Sequence, residues 1–242
     1  YKVAFSVDVN GNDIYTSDMT ADQRYEAALQ AALGYFEAAG YTVTDGKLTA
    51  APEGAKLEYE IQIPASGAGD HPSFMMISEA SKALATIGMN LIVTDLSDSS
   101  GLWEDIDARQ VDMWCAAWGA TIDPDMYQIY YSDVANHTTD LGTGKNPYGG
   151  PLQGGSSKMY CIADAELDDL IMAARESLDQ SYRKTMYKAC LDIVVDWAVE
   201  VPVYQRQNAI IFSTERVNMS TMTPDITTFY KWYAEIENIE LN

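Results

Sequence analysis

Strand-like and helical segments alternate between residues 57 and 117. In order, they are a strand over 57–63, a helix over 72–86, a strand over 90–96, a short helix over 101–110 and a strand over 111–117. A strand, a helix and a second strand in succession form a βαβ unit, whose strands run parallel and whose crossover is right-handed. The pattern therefore predicts an α/β fold with a mainly parallel sheet flanked by helices.

Further helices are expected on both sides of this region. A helix over 20–40 begins with a capping box of Thr20 and Gln23 and ends at Gly40. Two more helices follow residue 155, and the second, over 182–199, is expected to pack on the sheet together with the helix near 72–87. The rest is expected to comprise a polar connection over 41–54 and strands over 201–204 and 209–212.

The stretch from Val111 to Pro124 combines a strand, a turn and a helix start. Its apolar run turns at Trp118-Gly119, and Asp123-Pro124 is typical of a helix N-cap followed by proline at the first helical position. Trp118 is therefore predicted at the carboxyl end of a strand. In open α/β sheets, ligands bind along that edge.

This stretch resembles the pocket segment of the extracellular solute-binding proteins of family 5, the dipeptide and oligopeptide receptors of bacterial ABC importers. The shared features are an aspartate, an apolar run, a Trp-Gly turn and an Asp-Pro pair that opens a Tyr-rich helix. Other matching pieces occur in family order: Ala38-Ala39-Gly40-Tyr41, Asp45-Gly46, Leu84-Ala85-Thr86-Ile87-Gly88-Met89, Leu178-Asp179, Tyr182-Arg183 and Val201-Pro202-Val203-Tyr204. The resemblance covers most of the chain.

The resemblance implies that residues 1–242 form a single ligand-binding lobe of the periplasmic-binding-protein type II kind. The complete receptor would be bilobal, with an export signal and a missing N-terminal lobe before this chain, and residues 205–242 would return toward that lobe. The implied location is extracytoplasmic, either in the periplasm or at the cell surface as a lipoprotein. The implied function is to bind a peptide or similar polar solute and deliver it to an ABC transporter permease.

Six residues are candidates for contacting the solute: Trp118, Gly119, Thr121, Asp123, Trp103 and Tyr127. From the residues alone, Trp118 fits a core position as well as a pocket position. The resemblance favours the pocket, and it also shows a departure, because Thr121 stands where receptors for free peptide N-termini have an aspartate. A longer peptide, a sugar or another polar solute therefore stays open as the ligand. Asp123 is expected chiefly to cap the helix at Pro124.

The charge balance excludes some partners. The chain has 36 Asp and Glu against 15 Lys and Arg, a net charge of −21. Such a surface repels nucleic-acid phosphates and anionic lipid headgroups, so neither is expected as a partner. No apolar run approaches the ~18 residues of a membrane span.

Residues suited to catalysis are sparse. The two histidines, His71 and His137, are far apart in the sequence, and no nucleophile elbow or zinc-binding helix motif occurs. The adjacent pair Asp168-Asp169 indicates a solvated helix face rather than an acid/base pair. We therefore expect a binding protein that uses no metal or cofactor and is not an enzyme. The alternative is a secreted hydrolase that acts on peptides or glycans through acidic residues.

One long connection and the cysteines complete the sequence-based expectations. Residues 133–155 are rich in Asn, Gly, Thr and Pro, which predicts a mobile loop. Cys190 falls on an apolar helix face and is expected to be a buried small hydrophobe. The pairing of Cys115 and Cys161 stays open.

Overall fold

The computed structural model describes residues 5–108, 110–119, 121–132, 160, 162–205, 209–223, 226–227 and 230–242. The chain divides into two compact units: Tyr1–Ala116 with Met126–Glu200, and Ala117–Asp125 with Val201–Asn242. No helix in these described ranges is both long enough and apolar enough to cross a membrane. The predicted mobile loop over 133–155 lies outside the described residues, and the single lobe over 1–242 stays a prediction.

The first unit contains the main helices and strands. In chain order they are α1 (Ala21–Ala38), β1 (Thr42–Thr44), β2 (Lys47–Ala50), β3 (Glu58–Ile63), α2 (Pro72–Thr86), β4 (Asn90–Asp95), α3 (Ser100–Ala108), β5 (Met113–Trp114), α4 (Tyr127–Tyr130), α5 (Ala165–Glu176) and α6 (Gln180–Trp197). The described part of the second unit contains two short 3-10 helices, Met219–Thr221 and Ile236–Asn238.

The expected parallel sheet is present, with the strand order β4-β3-β5 and both strand pairs parallel. Strand β5 has two residues instead of the predicted seven. Asp112 explains its late start, because its carboxylate accepts hydrogen bonds from the Glu60 backbone N–H (3.2 Å) and the Lys56 ammonium (2.9 Å). That Glu60 N–H is a donor that a sheet ladder would otherwise use. The bond from the Lys56 ammonium lowers the pKa of the Asp112 carboxyl.

A β-hairpin replaces the polar connection predicted over 41–54. Strands β1 and β2 pair in antiparallel fashion, with Thr44 opposite Lys47. The turn residues Asp45 and Gly46 have φ values of 51° and 72°, as a type I′ turn requires at both central positions. The sequence prediction was wrong here because it gave no weight to this Asp-Gly turn signal.

Side-chain caps fix where most of the helices begin. The predicted capping box of Thr20 and Gln23 is confirmed at α1, and Asp164 and Asp179 cap α5 and α6. Helix α4 differs from the prediction, because its N-cap is Met126 without a side-chain hydrogen bond. The prediction that Asp123 caps a helix beginning at Pro124 is therefore wrong.

Helices α5 and α6 pack mainly on each other rather than on the sheet. The buried members of their core are Met126, Ile162, Leu167, Ile171, Ala174, Tyr187, Cys190 and Val194. The expected burial of Cys190 is thus confirmed. Strands were also expected over 201–204 and 209–212, but both segments are irregular, so that prediction was wrong.

A second core joins α1 to the hairpin, and Tyr41 is its polar member. The Tyr41 hydroxyl donates to the Lys56 carbonyl (3.1 Å) and lies 3.1 Å from the Tyr59 hydroxyl. Burial, reinforced by the Tyr59 hydroxyl, raises the pKa of Tyr41 to about 12.

Alkaline pH should therefore destabilise this core. Because the pKa of Tyr41 is higher in the folded chain than the ~10 of an unfolded tyrosine, the folded state keeps its proton where the unfolded state has lost it. The contribution of Tyr41 to the free energy of unfolding should stay constant below about pH 10 and decrease between about pH 10 and 12. Urea denaturation across this range tests the effect. Tyr41→Phe should flatten the decline, and an equally steep decline in that variant would contradict the assignment.

Candidate functional site

The carboxyl edge of the parallel sheet carries a loop held by a single carboxylate. The loop connects β3 to α2, and Asp95, the last residue of β4, lies beside it. Asp95 Oδ1 accepts hydrogen bonds from the backbone N–H groups of Ala65 and Gly67 (both 3.0 Å), and Oδ2 accepts from Gly69 (3.2 Å). The loop is thereby fixed at the edge where open α/β sheets bind ligands.

Helix α2 begins at the same edge. His71 caps it, with Nδ1 accepting from the Ser73 backbone N–H at 3.1 Å. Cys115 follows β5 and is half-buried. Burial raises the pKa of the Cys115 thiol, which keeps the thiol protonated at neutral pH. Cys115 is therefore poorly suited to act as a nucleophile.

Gln62 presents an acceptor that the described residues leave unsatisfied. Its Nε2 donates to Asp105 Oδ2 of α3 at 2.9 Å, which fixes the amide orientation, because the carboxylate would repel Oε1. The Oε1 atom is buried and has no hydrogen-bond partner among the described residues. Buried acceptors in native proteins are almost always paired. A water molecule or a donor group of a ligand would satisfy it.

Aromatic side chains form a row that passes through β5. Trp114 contacts Trp103 of α3 and Tyr160, with both centroid distances 5.9 Å, and Tyr160 stacks on Tyr130 at 5.5 Å. The Tyr130 hydroxyl donates to Glu200 Oε2 at 2.6 Å. Burial, together with this bond, raises the pKa of Tyr130. Trp103 ends the row with 38% of its surface exposed, so it can meet a ligand.

The predicted site residues are distributed over both units. Trp118, Gly119, Thr121 and Asp123 belong to the second unit, whereas Trp103 and Tyr127 belong to the first. Trp118 is 47% exposed, which agrees with the partial exposure expected of a pocket residue. Thr121 and Asp123 are brought together, since Thr121 Oγ1 donates to the Asp123 backbone carbonyl at 2.7 Å. A Cβ atom at Gly119 would have nothing within 4 Å, so open space surrounds this position.

Trp103 and Tyr127 fall into different side-chain groups of the first unit. Tyr127 packs against the helical core, stacks on Tyr131 at 4.4 Å and has the Arg175 guanidinium 4.1 Å from its ring centroid. These contacts fix its ring, and contact with a ligand stays a prediction for Tyr127 as for the other five residues. Sequence reasoning missed Asp95 and Gln62. A carboxylate ending a parallel strand near a Gly-rich loop was the available signal for Asp95.

In the described ranges, the acidic residues do not form a metal-binding cluster. No three His, Cys, Asp or Glu side chains there are grouped to hold a metal ion, and His137 lies outside them. Asp168 was predicted on a solvated face, but it is only 7% exposed and accepts from the Ser132 backbone N–H (2.6 Å) and hydroxyl (2.9 Å). That prediction was wrong for Asp168, because the hydrogen bonds from Ser132 offset the cost of burying its carboxylate.

Comparison with solved structures identifies the fold of this chain. No family model and no curated protein sequence matches this chain. Among solved structures, it is similar to the oligopeptide-binding protein AppA from Bacillus subtilis in complex with a nonapeptide (TM-score 0.53, 15% identity) over 100% of this chain and 42% of that one. It is also similar to an oligopeptide-binding protein from Thermus thermophilus complexed with a pentapeptide (TM-score 0.55, 18% identity) over 80% of this chain and 31% of that one.

The chain shares the fold of these two oligopeptide-binding proteins over the parts that match. The resemblance found in the sequence is thus confirmed for the fold, and the parallel sheet with flanking helices is part of it. The chain spans less than half the length of these two solute-binding proteins.

Proposed function

We propose that this chain is a ligand-binding part of the extracytoplasmic substrate-binding component of an ABC importer. The observation that carries the proposal is the carboxyl edge of the parallel sheet, where Asp95 holds the β3–α2 loop and Trp103 is exposed. A fixed loop and an exposed aromatic ring suit reversible binding of a solute, which needs no covalent chemistry. The solute-binding-protein fold supports the same function.

The proposed ligand is a peptide or a similar polar solute. The two solved relatives hold a pentapeptide and a nonapeptide, which supports a peptide for this chain too. Thr121 provides no charge to pair with a ligand ammonium group. The proposed peptide is therefore bound through its backbone and side chains, with Trp118 as an aromatic anchor and Gly119, Thr121, Asp123, Trp103 and Tyr127 as further contacts.

The proposed receptor is bilobal and closes over its solute. This chain forms one lobe, residues 205–242 return toward an N-terminal lobe, and the loaded receptor docks on the permease outside the cytoplasm, in the periplasm or as a lipoprotein. One lobe alone loses about half of the ligand contacts and keeps most of the entropic cost of immobilising the ligand. The isolated chain should therefore bind the solute several powers of ten more weakly than the complete receptor.

Turnover measurements separate this function from hydrolysis. Mixed peptides and glycans incubated with the protein should be recovered intact by mass spectrometry. Release of cleavage products that scales with the protein concentration would replace the proposed function with that of a hydrolase.

Trp118→Ala should weaken solute binding by the complete receptor. Loss of an aromatic anchor costs about 1–3 kcal/mol, or roughly 5- to 150-fold in affinity. Because Trp118 is 47% exposed, the melting temperature should change little. Isothermal titration and thermal unfolding of the same samples test both expectations.

Trp197→Ala is a matched control for this experiment. Trp197 is similarly exposed, at 40%, but its Nε1 donates to Asp164 at the start of α5. Its removal should lower the melting temperature and leave affinity unchanged. If Trp118→Ala behaves like this control, Trp118 is a structural residue and the pocket assignment is wrong.

A further inference from the structure

The loop between β3 and α2 has the geometry of an anion-binding site. Ser66, Gly67 and Gly69 all have positive φ, at 69°, 71° and 75°. Backbone turns that include left-handed residues direct N–H groups toward one point, and such concave backbone nests bind anions. Here the N–H groups of Ala65, Gly67 and Gly69 converge on one carboxylate, that of Asp95, at 3.0 to 3.2 Å.

The anion in this nest belongs to the chain itself. Asp95 ends β4, and its partners lie 26 to 30 residues earlier in the sequence. Both carboxylate oxygens are used, so the arrangement matches what a free carboxylate or phosphate ion would make with the same donors. Ser66 has a side chain and still adopts a positive φ, a conformation that side-chain-bearing residues rarely adopt without support from their surroundings.

We propose that Asp95 is an internal anion that fills this nest and thereby shapes the edge of the sheet. Its carboxylate holds the loop in one conformation and occupies the donors that an external anion would need. Within the proposed function, Asp95 is a positioning residue, and the filled nest keeps the N–H groups of Ala65, Gly67 and Gly69 from anionic groups of a solute. The nest itself can be tested independently of any transported solute.

The test is chemical rescue of Asp95→Ala by formate. This variant removes the shared acceptor of three N–H groups, of which Ala65 still donates to the Ile63 carbonyl at 3.1 Å. Gly67 and Gly69 lose the carboxylate to which they donate, so the melting temperature should fall. Formate supplies two carboxylate oxygens, so it should restore roughly half or more of the lost melting temperature in a saturable manner, as a ligand of the folded state does. Sodium chloride at equal ionic strength should not restore it, because screening alone provides no acceptor.

Asp98→Ala is the matched control. Among the described residues, the Asp98 carboxylate accepts one backbone N–H, that of Ser100, at 2.8 Å. Its removal deletes the same charge without vacating a convergent site, so formate should act on this variant no more than chloride does. The unaltered chain should likewise show no formate-specific stabilisation.

Amide resonances locate the rescue. In Asp95→Ala, the amide signals of Gly67 and Gly69 should shift with formate along the same saturation curve as the melting temperature. If this variant is unfolded in chloride, folding in formate would support the proposal, and failure to fold in both salts would overturn it. Signals that do not respond, or equal rescue of Asp98→Ala, would also overturn it. If the unaltered receptor binds no solute, the proposed function is contradicted, whereas the formate result still stands.

Discussion

Gly88→Ala should destabilise the first unit by about 3–4 kcal/mol, the largest effect we expect from a single methyl group in this chain. Gly88 has a φ of 89°, and a Cβ atom there would lie 2.6 Å from the Leu48 carbonyl oxygen and 3.2 Å from the Leu48 nitrogen. Both neighbours are backbone atoms and cannot rotate away. The clash would displace β2 and stretch the hydrogen bond from the Leu48 N–H to the Ile87 carbonyl (2.8 Å), which adds to the strain of a positive φ.

Gly46→Ala separates strain from clash. Gly46 also has a positive φ, of 72°, but a Cβ atom there would have nothing within 4 Å. This variant should lose only about 1 kcal/mol, the usual penalty for a side chain in the left-handed region. Urea denaturation monitored by circular dichroism gives both values. Equal losses at the two positions would show that the close contact at Leu48 is relieved without cost.

Asp168→Ala should be the second large effect, a loss of about 3 kcal/mol in the free energy of unfolding. Asp168 lies in the helical core and accepts from both the Ser132 backbone N–H and the Ser132 hydroxyl. Ser132 is fully buried. Its donors would be left without the carboxylate, and each buried group that loses a partner costs about 1–3 kcal/mol.

The neighbouring Asp169→Ala is the control, because it deletes the same charge from an exposed position on the same helix. It should change stability by no more than about 0.5 kcal/mol. Asp168→Asn should fall between the two, since its amide oxygen still accepts one hydrogen bond. If Asp168→Ala and Asp169→Ala lose the same stability, the bonds to Ser132 contribute nothing.

Local signals in the sequence predicted most of the elements. The alternation over 57–63 and the capping box at Thr20 depend on residues within one turn or one strand, and both are found in the structure. Asp123-Pro124 is an equally local signal, but the helix start that it predicts is not found. The Thr121 hydroxyl donates to the Asp123 carbonyl, the chain bends at 122–123, and the next helix begins only at Tyr127.

The candidate site was less accessible to sequence reasoning than the fold. Trp118 could be singled out from the sequence alone, because it is a tryptophan directly after an apolar run. Its side chain is 47% exposed, as that of a pocket residue would be. The partners of Asp95 and Gln62 lie 26 to 43 residues away in the chain, and only the folded sheet brings them together. No spacing rule connects residues across a βαβ crossover, so these roles required the structure.

The serine at the centre of the buried polar network also bears on how related chains can diverge. Ser132 Oγ donates to Asp168 and accepts from the Asp164 backbone N–H at 3.3 Å, so the chain at 132 is tied directly to the chain at 164. The sequence between residues 132 and 164 therefore starts and ends at positions that these hydrogen bonds fix. Doubling the length of such a connection changes its closure entropy by only about 0.6 kcal/mol. Evolution can therefore lengthen or shorten the sequence before residue 160 at little cost, provided that Tyr160 and Ile162, which pack in the helical core, are kept.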